Sequence, residues 1–533
     1  MDFSAYPFAS RRSAVLASRG VVATSQPLAA QAGLAMLRAG GNAVDAALAT
    51  AATLTVVEPT SNGLGSDAFA LVWDGARLHG LNGSGRWPGT AETSWLRAAR
   101  GKVLELGWPA VTVPGAVDAW AALHERFGSL PVAQILQPAI EYAEGGFPVS
   151  PVIAQLWAHA VPVFVGRGRP DLADWAEVFA PHGRAPHAGE RWHSPGHAHG
   201  LRTLAERGLR DFYEGELAEA IVSHACQTGG RISGDDLAGH RGEWVEPIGL
   251  SYGELDVWEL PPNGQGIAAL MALGIYQHAG AQRAPLMSEA GWHAQIEAMK
   301  LAFADAYARV ADQQHSAVPV TGLLDPEYLA GRARLIGDRA GSPPVGNPVR
   351  GGTVYLCCAD ADGMMVSFIQ SNYEGFGSGV VVPGYGIALQ NRAACFVLDP
   401  QHPNVAAPGK RPRHTIIPGF VTRAGVGLGP FGVMGGEMQP QGHLQVIAGM
   451  VDHGLNPQAA LDKPRWRVHR DHSVSVEAGV PEELLRGLAR RGHTLRAGTS
   501  SAAFGRGQVI LKTPEGVYVA GSEPRADGCA VGF

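Results

Sequence analysis

Two consecutive apolar runs constrain the fold of this chain more than any other feature. Thr353–Ala359 and Met364–Ser371 read as strands joined by the turn Asp360-Ala361-Asp362-Gly363, and both are near-continuously apolar instead of alternating. A strand with one wet face alternates, so this hairpin must be covered on both faces. The change to strand character is abrupt at Gly351-Gly352-Thr353, after a loop-like stretch holding Pro319, Pro326, Pro343, Pro344 and Pro348.

Upstream the signals are mostly helical. Leu28–Arg38 stops at Gly40-Gly41, and Asn42 caps a second helix whose small apolar residues, Ala46–Thr55, imply burial between layers. A hairpin follows around Asp74-Gly75, between Ala68–Trp73 and Arg77–Leu81, and then a helix-dominated stretch that includes Ala116–Phe127 and Ser288–Tyr307. Downstream, further strands are expected at Val380–Val382, Ile387–Leu389, Ile416–Val421 and Val509–Lys512, with a helix over His443–Val451. A length of 533 residues suits about three domains or one large multilayer unit, and 71 glycines suit a turn-rich one.

Composition excludes several function classes. The formal net charge of −6 offers no positive field for a nucleic acid, and 46% hydrophobic residues exclude intrinsic disorder. Five cysteines (226, 357, 358, 395 and 529) without a C-x-x-C spacing indicate neither a disulfide framework nor a zinc site. No run of 18 apolar residues suggests a membrane span, and no signal-peptide pattern opens the chain, so a cytoplasmic location is expected.

Familiar catalytic motifs are missing: there is no P-loop, no H-E-x-x-H and no G-x-S-x-G. Gly427-Leu-Gly429-Pro-Phe-Gly432 satisfies G-x-G-x-x-G, but Pro430 and the following Gly435-Gly436 are not expected to open a helix after a βαβ strand, which argues against dinucleotide binding. The informative tripeptide is Gly351-Gly352-Thr353. Attack of the Thr353 hydroxyl on the Gly352 carbonyl would free a new N-terminal threonine, whose α-amine, with a pKa near 8, can serve as general base for its own Oγ. On its own, the same tripeptide is also an ordinary turn into a strand.

The segments around it carry more information. NPVRGGTVYLCCADADGMMVSFIQSNYEGFGSGVVVPGYGIALQN, PGKRPRHTIIP and FGVMGGEMQPQGHLQ resemble, in order and spacing, the small subunit of the γ-glutamyltranspeptidase family. MLRAGGNAVDAALATAATLTVVEP, VPGAVDAW, FYEGELA, PPNGQG and EAMKLAFADAY extend the resemblance over nearly the whole chain. It implies an N-terminal-nucleophile hydrolase of α+β class: a four-layer αββα sandwich, made as a proenzyme and cleaved between Gly352 and Thr353. The pieces would be a large subunit, 1–352, and a small subunit, 353–533, folded together as an αβ heterodimer that is free to pair again. By the same resemblance Thr353 is the nucleophile, Ser371 is a hydroxyl that helps hold it, and Gly435 and Gly436 form the oxyanion loop. No metal or organic cofactor is implied.

At the positions where the family holds glutamate, this chain departs from it. The acidic residue that receives the substrate ammonium is matched by Cys395, its polar partners by Tyr373 and Arg392, and the serine pair holding the carboxylate by His414-Thr415. The carboxylate-binding arginine aligns near Arg86, two places off register. An ammonium beside Arg392 with no carboxylate would be disfavoured, whereas Arg392, His414 and Arg86 together would accept a carboxylate. NGSGR, GFGSG, ALQN and the HTIIP run resemble the branch containing oxamate amidohydrolases and glutaryl-type cephalosporin acylases. Hydrolysis of a small carboxylated amide is therefore expected. Its alternatives are γ-glutamyl transfer or hydrolysis on glutathione-like amides, and an uncleaved, non-catalytic binding protein.

Overall fold

The computed structural model describes residues 12–99, 105–166, 168–343, 352–496 and 501–533. Its frame is built from β1 (Val15–Ala17), β2 (Val21–Thr24), β3 (Asp67–Trp73), β4 (Leu78–Gly83), β5 (Glu243–Val245), β6 (Ile248–Tyr252), β7 (Leu255–Glu259), β8 (Gly352–Ala359), β9 (Met365–Tyr373), β10 (Gly419–Arg423), β11 (Val426–Met434), β12 (Arg506–Lys512), β13 (Tyr518–Ser522) and β14 (Cys529–Gly532). They form two seven-stranded sheets with spatial orders β14-β2-β8-β9-β3-β4-β5 and β1-β13-β12-β11-β10-β7-β6. Every pairing within both sheets is antiparallel.

The hairpin β8–β9 sits centrally in its sheet, and β9 is buried along its full length. One face of β8 and β9 meets β11, and β8 also meets β12 in the opposing sheet; helix α2 (Ala43–Val57) covers the other face, next to α1 (Pro27–Arg38). These contacts explain the unbroken apolar runs. Helix α2 is buried at every residue, and its small side chains allow close approach to the strands. Asn42 caps it through a capping box with Asp45, and Asp360 in the β8–β9 turn accepts the Ala43 N–H at 2.9 Å. Loss of such a cap costs about 0.5–2 kcal/mol. Beyond the second sheet, α5 (Gly266–His278) contacts β6, β7 and α6 (Glu289–Arg309). No helix of the described residues is long and apolar enough to cross a membrane.

Three sequence expectations change. The strand placed at Ile416–Val421 begins at Gly419, because side chains take the earlier backbone donors: the Ile416 N–H reaches His414 Nδ1 (3.3 Å) and the Ile417 N–H reaches Gln439 Oε1 (2.9 Å). The helix placed at His443 starts five residues earlier, at Met438, and is α7 (Met438–Val451); Pro440 is tolerated in its first turn, where N–H groups have no helical partner. A helix therefore does open after Gly435-Gly436, contrary to expectation. The G-x-G-x-x-G itself lies inside antiparallel β11, where a Cβ at Gly427 would stand 2.6 Å from the Trp73 ring and one at Gly432 2.5 Å from the Tyr355 ring. Those two glycines make room for aromatic rings from the facing sheet.

Candidate active site

Thr353 lies at the entry to β8, where the regular ladder breaks. Gly352 pairs with Tyr373 and Val354 with Gln370, so the register shifts by one residue at Thr353. Tyr373 opposite has φ +80°, a left-handed conformation that a non-glycine residue adopts only when its surroundings enforce it. The Thr353 hydroxyl donates to Ser371 Oγ at 3.1 Å, and the Tyr373 N–H donates to the same Ser371 oxygen at 2.8 Å. The distorted strand end thus fixes a buried hydroxyl pair. Gly351, the other glycine of the informative tripeptide, lies outside the described residues.

Gly435 and Gly436 connect β11 to α7 with φ +130° and +60°, both in the region that favours glycine. Their carbonyls accept the N–H groups of Met438 (3.0 Å) and Gln439 (3.2 Å) in the first turn of α7. Gln439 then reaches out of that turn. Its Oε1 accepts from Ile417, which aims its Nε2 at Thr353 Oγ1, 3.4 Å away. The first turn of α7 therefore contacts the threonine hydroxyl through the Gln439 side chain.

Beyond Tyr373 sits Arg392, in a single helical turn, Arg392–Cys395, that docks on the end of β9 through the Asn391 N–H to Asn372 O bond (3.1 Å). Its side chain is fully buried. Nη1 donates to Thr415 Oγ1 at 2.7 Å, and the guanidinium lies 4.9 Å from the Tyr373 ring centroid. Among the described residues, Nε and Nη2 have no hydrogen-bond partner. Burial pushes the Arg392 pKa down, only partly offset by neighbouring Cys395 and Asp67. Burial also pushes the Cys395 thiol up, so it stays protonated and does not neutralise the cation.

Two of the residues expected to bind a carboxylate serve another purpose. His414 is corrected from ligand donor to scaffold: its Nδ1 accepts from Ile416, so Nε2 carries the proton and donates to Asp67 Oδ2 at 3.0 Å. Neither ring nitrogen remains for a substrate. Burial and the neighbouring guanidinium of Arg392 hold its pKa well below 6.5, so the ring is neutral. Arg86 is corrected likewise. Its guanidinium is taken up by Gln314 Oε1 (2.8 Å), Gly409 O (3.1 Å), Asp312 Oδ2 (3.3 Å) and Glu243 Oε1 (3.3 Å), a half-buried network.

Sequence reasoning missed Gln439, Gln265, Asp67 and Arg413. Gln265 Nε2 bridges the carbonyls of Thr415 (2.7 Å) and Gly436 (3.0 Å), tying the Arg392 pocket to the glycine loop. Asp67, at the start of β3, accepts N–H groups from Gly85 (3.3 Å) and Gly115 (3.1 Å) besides His414, and burial pushes its pKa up to about 7. Gln265 and Gln439 stand in the noted segments PPNGQG and GGEMQPQG, but an uncharged amide carries no catalytic signal until its partners are known.

A buried threonine hydroxyl at a strand start is thus linked, through Gln439, to a helix that opens on a pair of glycines, in a sheet covered on both sides. A model of the gamma-glutamyltranspeptidase family matches residues 29–533, and the chain belongs to that family. It is 36% identical over 527 residues to a glutathione hydrolase-like proenzyme, YwrD, of Bacillus subtilis, covering 97% of this chain and 99% of that one. To an oxamate amidohydrolase proenzyme of Klebsiella pneumoniae it is 35% identical over 535 residues, with the same coverage of 97% and 99%. A crystal structure of a cephalosporin acylase from Bacillus halodurans superposes with a TM-score of 0.95 at 52% identity, covering 100% of this chain and 99% of that one. The protein is accordingly a hydrolase of amide bonds, of the proenzyme type found in this family.

Proposed function

We propose that the protein is an autocleaved N-terminal-nucleophile amidohydrolase that opens the amide of a small carboxylated substrate, of oxamate or glutaryl type. The two facing sheets with outer helices are then the αββα sandwich of that class. The observation that carries the substrate reading is Arg392: a fully buried guanidinium over the Tyr373 ring with two nitrogens orphaned among the described residues, where the Tyr373 N–H in turn holds Ser371. An unpaired buried charge costs several kcal/mol, and a substrate carboxylate offsets that cost with charge-assisted hydrogen bonds. A substrate ammonium would instead meet a cation and a neutral thiol. The relatives named for oxamate and for cephalosporin point the same way.

In maturation, Thr353 Oγ adds to the Gly352 carbonyl, the C–N bond breaks to give an ester, and water hydrolyses it. This leaves a Gly352 carboxylate and a free Thr353 amine. In turnover that amine takes the hydroxyl proton as Oγ attacks the substrate amide, with the oxyanion directed at the Gly435-Gly436 loop. The proton passes to the departing nitrogen, ammonia or an amine leaves, and water releases the acid. Removing an oxyanion donor typically costs about 10²–10³ in rate.

A denaturing gel tests the first half of this reading: wild type should run as two bands, and Thr353→Ala as one inactive band of 55.8 kDa. A wild type that stays whole and inactive would overturn it. Ammonia or amine release from oxamate, glutaryl amides and γ-glutamyl amides tests the second half. The name of the B. subtilis relative favours the γ-glutamyl reading, and γ-glutamyl turnover equal to the best carboxylated amide would establish it instead.

A further inference from the structure

A second guanidinium, that of Arg413, acts on the Cys395 thiol electrostatically, as Arg392 does. Arg413 is buried except for 7% of its side chain, with its guanidinium 4.7 Å from the Tyr307 ring centroid. Its polar contacts are long: Nη1 to Gln265 Oε1 at 3.5 Å and Nη2 to Glu437 Oε1 at 3.6 Å. Glu437 is held more closely by Arg470, at 3.0 Å on the same oxygen, so one carboxylate is shared between two cations. Two buried amides join Arg413 to the Arg392 pocket. Asn404 accepts the Arg413 N–H (2.8 Å) and donates to the Cys395 carbonyl (2.7 Å), while Gln265 contacts Arg413, the Thr415 carbonyl and the Gly436 carbonyl. Arg392 meets the same Thr415 through its hydroxyl.

We propose that Arg392 and Arg413 are the two arms of one anion clamp closed around the Cys395 thiol, with Arg413 as the second specificity-determining residue for the carboxylate of the amide substrate. This rests on the carboxylated-amide reading above. Arg392 supplies donors that are orphaned among the described residues and Arg413 a cation with only long polar contacts, and the Cys395 thiol coupled to both adds no negative charge. Gln265 carries the clamp's position to the glycine loop, so a carboxylate seated on both arms sets the amide carbonyl under the oxyanion donors. The selected chemical class is an acyl group ending in a free carboxylate and lacking an amine beside it.

The test measures KM and kcat on glutaryl-p-nitroanilide and on its methyl ester, which removes only the charge, for Arg413→Gln, Arg413→Lys and Arg392→Gln. Arg413→Gln should raise KM for the free acid at least about tenfold with kcat reduced less than about threefold, and leave kcat/KM for the ester within about twofold. Arg413→Lys keeps the charge without the planar fork and should raise KM about three- to fivefold. It carries the test if the glutamine variant does not fold. If Arg392→Gln raises KM for the acid while both Arg413 variants leave it unchanged, the second arm is overturned and the carboxylate reading stands. If neither arginine affects the acid more than the ester, the carboxylate reading falls with it.

Discussion

Two buried arginine clusters in this molecule answer their charge in opposite ways. Arg465 and Arg525 lie against Glu523 and Glu477: Arg465 Nη2 meets Glu523 at 2.8 Å, while Arg525 meets Glu477 at 2.6 Å and Glu523 at 2.5 Å. Despite burial, the two guanidiniums hold the Glu523 carboxyl below its ordinary range. Around Arg392 the nearest thiol is neutral, and among the described residues no carboxylate oxygen comes within 4.0 Å. A buried arginine that serves only the fold has its counterions built in. One that lacks them is stable only at a cost that a ligand can offset.

The largest effect should come from breaking the paired cluster. Glu523→Gln leaves two buried guanidiniums short of a counterion and should lower stability by about 3–5 kcal/mol, read as a lower denaturation midpoint. Were the midpoint unchanged, pairing would not be what separates the two clusters. Making the second cluster resemble the first should sharpen the contrast. Cys395→Asp supplies the missing carboxylate between Arg392 and Arg413, so it should raise the thermal midpoint by a few degrees. It should also raise KM for glutaryl amides about tenfold or more and shift preference towards γ-glutamyl amides.

A third effect concerns pH. Burial raises Asp67 from 3.8 to about 7, so the folded state keeps a proton that the unfolded chain has released. The sign follows from proton binding: between pH 3.8 and about 7 the folded form holds more protons, so stability falls as pH rises through that window. Asp67→Asn should flatten that slope, as measured by urea midpoints at pH 4 to 8. A slope equal to that of wild type would mean that Asp67 ionises freely in the fold.

What was legible in the sequence divides along similar lines. The β8–β9 hairpin, α2 and the Gly435-Gly436 turn depend on local signals: apolar runs, a capping asparagine, paired glycines. Thr353 and Ser371 are singled out through the resemblance to the γ-glutamyltranspeptidase family, whose motifs run along these same strands. The pocket depends on residues far apart in the chain, and there charge alone misled. Arg86, Arg392, Arg413 and His414 look equivalent as letters, but Asp312 and Glu243 engage the first, Asp67 and Ile416 the last. Only the folded contacts show which cation is left over. The helix after Gly435-Gly436 runs against the local signal, since paired glycines read as a turn, while Pro440 is harmless in its first turn.

The weave of the two sheets has one more consequence. In one of them β2 lies between β14 and β8, and β3 adjoins β9; in the other β1 flanks β13, and β7 flanks β10. Segments from before and after residue 352 therefore pair with one another in both, at three places in the first sheet and two in the second. Cutting the backbone at that point would add two chain ends without creating a flat interface along which folded halves could part. The halves would unfold and separate in one cooperative step, so the melting midpoint of the cut protein would rise with its concentration while that of an uncut chain would not, and neither half could be exchanged for a fresh copy without first unravelling the other.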